Sequence, residues 1–259
     1  MKEKIYFKNG DDLKLCGILT RPSEETKKCI VLCHGITVDK EEEGIFVELA
    51  QKLVKNDFAV FRFDFRGHGE SEGNSIDLTV TGEKRDLESA IMFLQGLGYE
   101  EFCIVAASFG AGAASLFISE HQDIIKAFCL WNPVIDYHDM LNPQLPWTKA
   151  NFGKEAMQKL EKQGYTEIGS RKFKVGKPFF AELKELHPWK ELRSIKIPIL
   201  FIHGNKDSYV SYKDSVKYSK LFQNAKLETI RGAEHGFHEN KEDSEKADNA
   251  TVRFFLDNF

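Results

Sequence analysis

The stretch FCIVAASFGAGAAS, from Phe102 to Ser115, decides how the chain is read. An apolar run, Phe102 to Ala107, is followed at once by a serine between small residues and then by helix formers. A strand running into a helix fits this pattern, with Ser108 at the junction. Serine is favoured as a helix N-cap, so capping alone can explain it. Gly110 and Gly112 also resemble a degraded dinucleotide-binding loop. That loop belongs on the first strand of its unit, with an acidic residue ~20 positions on. The next strand here ends in Trp131-Asn132, so a dinucleotide site is not expected.

The chain has 259 residues, 42% hydrophobic and 29% charged, which suits one α/β domain with a sizeable core. A net charge of −4 gives no electrostatic basis for binding nucleic acid. No apolar run approaches the ~20 residues of a membrane span. Charges interrupt the opening MKEKIYFKNGDDLKLCGIL, which therefore does not read as a signal peptide. Cys16, Cys29, Cys33, Cys103 and Cys129 all lie in apolar, strand-like runs. An odd count without framework spacing argues for buried thiols and a cytoplasmic protein. No metal-ligand spacing occurs, so neither metal nor cofactor is expected. The sequence leaves the oligomeric state open.

Outward from the opening stretch, strands and helices alternate. Lys4 to Lys8 and Leu13 to Arg21 read as an antiparallel pair turning at Asn9-Gly10. KCIVLCHG is a buried strand. Phe46, Leu49, Ala50, Leu53 and Val54 form a helical stripe, with the acidic run DKEEE placed at that helix's N-terminus. FAVFRFDF is the next strand, and Leu87, Ala90, Ile91 and Leu94 mark the next helix. IKAFCLW, IPILFIHG and AKLETIRG are further strands, and a helix carrying Ala247, Thr251, Phe254, Phe255 and Phe259 on one face closes the chain. Such alternation means a mainly parallel sheet covered by helices on both faces.

One segment breaks the rhythm. Residues 133–193 separate two core strands, too long for an ordinary connection, and they hold Trp147, Phe152, Tyr165, Phe173, Phe179, Phe180 and Trp189. An aromatic-rich insertion of this kind reads as a cap over a site, or else as a cover for exposed sheet.

A third reading of Ser108 is the nucleophile elbow G-x-S-x-G, here Ala106-Ala107-Ser108-Phe109-Gly110. Serine is a poor nucleophile without a base and a group to orient that base. Asp207, in FIHGNKDSYVS, follows one core strand, and His235, in IRGAEHGFHEN, follows the last. The order Ser, Asp, His is that of α/β-hydrolases, and all three fall at the C-terminal strand edge where open α/β sheets bind ligands. LCHGIT ends an early strand, so the backbone N–H groups of Ile36 and Phe109 are the expected oxyanion donors.

With these pieces in place, the chain resembles serine-type α/β-hydrolases over nearly its whole length. The resemblance rests on LCHGIT, RFDFRGHGESEG, AASFGAG, FIHGNKDSYVS and GAEHGF. Within that superfamily it is most similar to bacterial cinnamoyl (feruloyl) esterases. They share its two-strand start, its length and an insertion ending KVGKPFFAELKELHPWKELRSIKIPILFIHG. Ala106 in the elbow and Ile36 after His-Gly depart from the pattern. The resemblance implies an eight-stranded α/β-hydrolase sheet, residues 1–259 as one domain, and residues 133–193 as a cap. It also implies a small-molecule aromatic-acyl ester as substrate, met in the cap by Asp136, Gln144, Trp147 and Tyr165. Acyl thioesterase or acyltransferase chemistry with the same three residues is the first alternative, and a non-catalytic binding module the second. His34 reads as support for the oxyanion loop, and His203 as a strand-end residue. Arg171, Lys172, Lys174 and Lys177 read as a solvated face or, alternatively, as an attractor for an anionic substrate group.

Overall fold

The computed structural model describes residues 1–259. The chain opens with β1 (Lys2–Lys8) and β2 (Lys14–Thr20), antiparallel from Lys2↔Thr20 to Lys8↔Lys14. The Asn9 side chain closes the turn between them by accepting the Asp11 and Leu13 N–H groups. There follow β3 (Lys28–Cys33), α1 (Ile45–Val54), β4 (Ala59–Phe63), α2 (Val80–Gly96), β5 (Glu101–Ala107), α3 (Gly110–Glu120) and β6 (Ile125–Trp131). Residues 133–193 hold α4 (His138–Leu141), α5 (Pro146–Phe152), α6 (Lys154–Gln163), β7 (Tyr165–Ile168), β8 (Phe173–Gly176), α7 (Lys177–Glu185) and α8 (Pro188–Leu192). The chain returns to the main sheet with β9 (Ile199–Gly204), α9 (Tyr212–Leu221), β10 (Ala225–Ile230) and α10 (Lys241–Asn258).

The main sheet has eight strands in the order β1-β2-β4-β3-β5-β6-β9-β10. Pairing is antiparallel at β1–β2 and β2–β4 and parallel from β4 to β10. The sequence expectation of a mainly parallel eight-stranded sheet is met. After their first residues, the central strands β3 and β5 are apolar because each face has its own core. Cys29, Val31 and Cys33 of β3, with Phe102, Ile104 and Ala106 of β5, join one cluster with Leu87, Ile91 and Phe117 of α2 and α3. Ile30, Leu32, Cys103 and Val105 face the other way, onto Phe46 and Leu49 of α1 and Phe254 and Phe255 of α10. All five cysteines are free and buried within this framework. No helix is long and apolar enough to cross a membrane.

The insertion carries more regular structure than its sequence pattern suggests, including the antiparallel pair β7–β8. Phe152, Leu160, Ile168, Val175, Phe179 and Leu183 pack in a third cluster with Leu78, Val80, Phe109 and Ala113 of the main body. The apolar face of the insertion therefore rests directly on the residue that follows Ser108.

The acidic run before α1 departs from a simple interaction with the helix terminus. Glu41 pairs with the buried Arg62 guanidinium at 3.1 Å, and Glu43 pairs with Arg171 of the insertion at 3.2 Å. Glu42 turns inward.

Candidate active site

Ser108 sits where β5 passes into α3, with φ of 48°. A left-handed serine is costly and persists only where its surroundings enforce it. Its N–H donates to the Trp131 carbonyl at 2.8 Å, and its carbonyl accepts the Val134 N–H at 2.9 Å. The turn is tight on its inner side. A Cβ at Gly110 would overlap the His34 carbonyl oxygen, so only glycine lets α3 start so close to the end of β3. Ala106, fully buried, occupies the position of the first elbow glycine.

The structure brings Ser108, His235 and Asp207 together. The Ser108 Oγ lies 3.1 Å from His235 Nε2, and His235 Nδ1 lies 2.7 Å from Asp207 Oδ2. Asp207 Oδ1 accepts the N–H groups of Tyr209 and Val210, both at 2.8 Å. With a carboxylate on Nδ1, the neutral imidazole carries its proton there and leaves Nε2 free to accept from serine. Burial pushes the Asp207 carboxyl up, but the imidazoles of His235 and His203 outweigh it and hold the group well below the ordinary range. For His235, burial pulls the imidazole down, and the Asp207 charge and hydrogen bond reverse this, leaving it raised above 6.5.

Three contributors escaped the sequence reading. His203, read as a strand-end residue, places Nε2 3.1 Å from Asp207 Oδ2 and Nδ1 2.7 Å from the Ser215 hydroxyl. Tyr209 stacks on the His235 ring, with centroids 5.1 Å apart and planes at 12°. Trp147 stacks in turn on Tyr209, at 5.4 Å and 16°. Glu42 is the third, and its Oε2 accepts the Gly35 N–H at 2.7 Å. A histidine at a strand end and a tyrosine two residues past an aspartate were the only sequence signals for the first two.

The loop after β3 holds Ile36, and the elbow holds Phe109; neither backbone N–H has a protein acceptor. A cavity of about 410 Å³ opens over Ser108 and His235. Ile36, Met140, Trp147 and Val210 supply apolar wall, and Glu42, Glu43, Asp136, Asp139 and Asp214 supply carboxyl groups. No Lys or Arg lines it.

Of the four insertion residues singled out in the sequence, Asp136 and Trp147 reach this cavity. Asp136 is already engaged, its Oδ2 accepting from the Tyr218 hydroxyl at 2.5 Å. Gln144 and Tyr165 are not in its wall. Gln144 lines an adjoining open groove beside Trp189, and its N–H donates to Asp139. Tyr165 is on β7, with the Lys174 ammonium 5.0 Å above its ring. Arg171, Lys172, Lys174 and Lys177 are also outside the cavity wall. No group of three or more His, Cys, Asp or Glu side chains is arranged to hold a metal ion.

Comparison with known proteins places this chain in a family. A family model described as serine aminopeptidase, S33, matches residues 24–172, and one described as alpha/beta hydrolase domain matches residues 166–255. An acyl transferase of Vibrio campbellii is 27% identical over 209 residues, covering 75% of this chain and 64% of that protein. A monoacylglycerol lipase of Mycolicibacterium smegmatis is 25% identical over 143 residues, covering 52% of this chain and 48% of that protein. The chain thus spans less than two thirds of the length of these relatives, and only 18% of the Escherichia coli protein YnbC, to which it is 30% identical over 111 residues. Among solved structures, Est1E of Butyrivibrio proteoclasticus with ferulic acid bound has the same fold, at TM-score 0.83 and 23% identity over 98% of both chains. With its elbow strand, the loop after β3 and more than half its length inside the first family model, the chain belongs to the α/β-hydrolase superfamily, in the family described as serine aminopeptidase, S33.

Proposed function

We propose that the protein is a serine carboxylesterase acting on small esters with aromatic acyl groups. The observation that carries this reading is the unbroken hydrogen-bonded series Ser108–His235–Asp207 at the floor of a cavity. Ser108 Oγ attacks the ester carbonyl carbon while His235 Nε2 takes the hydroxyl proton. The carbonyl oxygen becomes an oxyanion facing the Ile36 and Phe109 N–H groups, which have no competing acceptor. His235 then returns its proton to the leaving alcohol as the carbon–oxygen bond breaks, giving an acyl-Ser108. Water repeats the cycle: His235 takes its proton, and collapse of the second tetrahedral species releases the acid and restores the serine. Asp207 fixes the imidazole tautomer and stabilises the imidazolium.

The cavity supports a small acyl group. At about 410 Å³ it lies toward the lower end of the ~300–1,000 Å³ range of small-molecule sites. Trp147 and Tyr209 offer flat surfaces for a ring, and residues 133–193 form the cap that carries Trp147. Walls with five named carboxyl groups and no cation disfavour an anionic group beside Ser108. Similarity to an acyl transferase supports the second reading, acyl transfer or thioester hydrolysis by the same residues. Matched methyl, p-nitrophenyl and acyl-CoA substrates with feruloyl, p-coumaroyl, decanoyl and palmitoyl groups separate the two. Higher kcat/KM on the aromatic oxygen esters is expected, and a preference for thioesters or long chains would overturn the substrate assignment. Ser108→Ala is expected to lower kcat by on the order of 10⁴–10⁶ and to abolish fluorophosphonate labelling. Labelling that persists in the variant would remove Ser108 from the mechanism.

A further inference from the structure

The loop between β3 and α1 bends in an unusual way. Glu42, Glu43 and Gly44 have φ of 46°, 56° and 97°, three left-handed residues in succession, of which only the glycine is suited to it. Glu41 and Glu43 use their carboxylates on Arg62 and Arg171. Glu42, between them, lines the cavity with Ser108 and His235 and accepts the Gly35 N–H at 2.7 Å. Gly35 is held from its other side as well. His34 Nε2 accepts the Phe65 N–H at 3.0 Å, so the His34 proton sits on Nδ1, which donates to the Gly35 carbonyl at 2.7 Å. In a trans peptide the carbonyl and the following N–H point in opposite directions. Fixing the Gly35 carbonyl therefore aims the Ile36 N–H away from His34. Gly35 itself lies against the nucleophile, since a Cβ there would be 3.1 Å from Ser108 Cβ.

We propose that Glu42 is a positioning residue for the oxyanion loop, clamping the Gly35 amide opposite His34 so that the Ile36 N–H stays free beside Ser108. This deepens the esterase reading and rests on it for the role of Ile36. Glycine has no side chain to restrict its backbone, so without the carboxyl group one side of the clamp is gone and the loop is held at Gly35 by His34 alone. Glu42 also shares an electrostatic environment with the base. Burial pushes its carboxyl up to about 7, against the opposing effects of the Gly35 N–H and His235, while Glu43 and Asp39 add to the rise. In return, its charge favours the His235 imidazolium. His238 faces Glu43 at 3.8 Å, and no Lys or Arg intervenes in the cavity wall.

The test uses the full chain with p-nitrophenyl acetate as probe, comparing wild type, Glu42→Ala, Glu42→Gln and Ser108→Ala from pH 5 to 9. Removing a direct oxyanion donor costs ~10²–10³ in kcat, so a group that only positions one is expected to cost about 10–100-fold in Glu42→Ala, with KM changed less than about threefold. Glu42→Gln keeps an acceptor for the Gly35 N–H and is expected to lose less, about threefold to tenfold. It also removes a negative charge beside His235, so the acid limb of kcat/KM moves to lower pH, and the His235 titration followed by NMR moves with it. A purely structural role would lower the melting temperature without moving either titration. Wild-type kcat in Glu42→Ala, or a His235 titration in Glu42→Gln that overlays the wild type, overturns the proposal. Should Glu42→Ala fail to fold, the isosteric variant decides. An unreactive wild type whose His235 still shifts in Glu42→Gln would instead overturn the esterase reading.

Discussion

The Asp207 carboxylate receives four hydrogen bonds, two from backbone N–H groups and two from imidazoles. This saturation keeps a buried group ionised, because each donor favours the charged form. Asp207→Asn preserves the size of the side chain but offers an amide where both imidazoles need an acceptor. The resulting wrong tautomer at His235 is expected to lower kcat by up to ~10⁴-fold. Near-native activity would transfer the role to Asp214, in the cavity wall, or to Glu234, whose Oε2 accepts the Ser208 N–H. In the proposed mechanism His235 must be neutral to accept the serine proton. Since His235 is raised above 6.5, the acid limb of kcat/KM is expected above pH 6.5, and a limb below it would contradict the assignment.

At the scale of elements, the site depends on how closely β3 approaches α3 and on what the insertion sets beside His235. Gly110→Ala places a methyl against the His34 carbonyl, a backbone atom one residue past the end of β3. Separating the two elements is expected to destabilise the fold by ~1–3 kcal/mol, as overpacking does, and to displace the Phe109 N–H. Thermal melts and kcat read the two effects, and an unchanged melting temperature would show that the junction has slack. Trp147→Ala removes the outermost ring of the stack Trp147–Tyr209–His235. An aromatic pair adds ~0.5–1.5 kcal/mol beyond area burial, so aromatic esters should lose about threefold to tenfold in kcat/KM relative to acetyl esters. Equal loss on every ester, in step with lost stability, would make the insertion a cover for the sheet.

For the molecule as a whole, buried titratable groups pull stability in opposite directions with pH. Burial lowers His34 to about 4 and His68 to about 3, both well under the 6.5 of an exposed imidazole. Below pH 6.5 the unfolded chain binds protons that the native state refuses, so stability is lost as pH falls from 6.5 toward those values. Burial raises Glu83 well above 4.5, with Asp86 adding to it and one oxygen lacking any partner. Here the native state holds a proton that the unfolded chain releases, so stability is lost as pH rises above 4.5. His68→Phe keeps a ring against Phe173, on which His68 stacks at 4.5 Å, and its change in melting temperature should be more favourable at pH 5 than at pH 8. Glu83→Gln should show the reverse order. Differences that do not change with pH would mean that neither group is displaced from its ordinary titration.

The sheet, the helices over its two faces, and the placement of Ser108, Asp207 and His235 after the parallel strands β5, β9 and β10 were legible in the sequence because they rest on local rules. Apolar runs of strand length, helical stripes and turn residues each act over a few positions, and parallel connectivity then carries the strand ends to one edge. What crosses between distant segments was not legible. Tyr209 meets His235 and Trp147 only after α5 and the segments following β9 and β10 converge, and His203 meets Ser215 of α9 only when that helix packs on β9. Glu42 looked like one of three interchangeable acids until left-handed backbone turned it inward and Arg62 and Arg171 occupied its neighbours. The insertion was least legible, because its two strands are only four residues each and its direction is set by packing on Leu78, Val80 and Phe109. That packing carries Asp136 and Trp147 to the cavity and leaves Gln144 and Tyr165 outside it. Local periodicity specifies which elements form and in what order, whereas which side chains share a cavity depends on contacts between surfaces that no local pattern encodes.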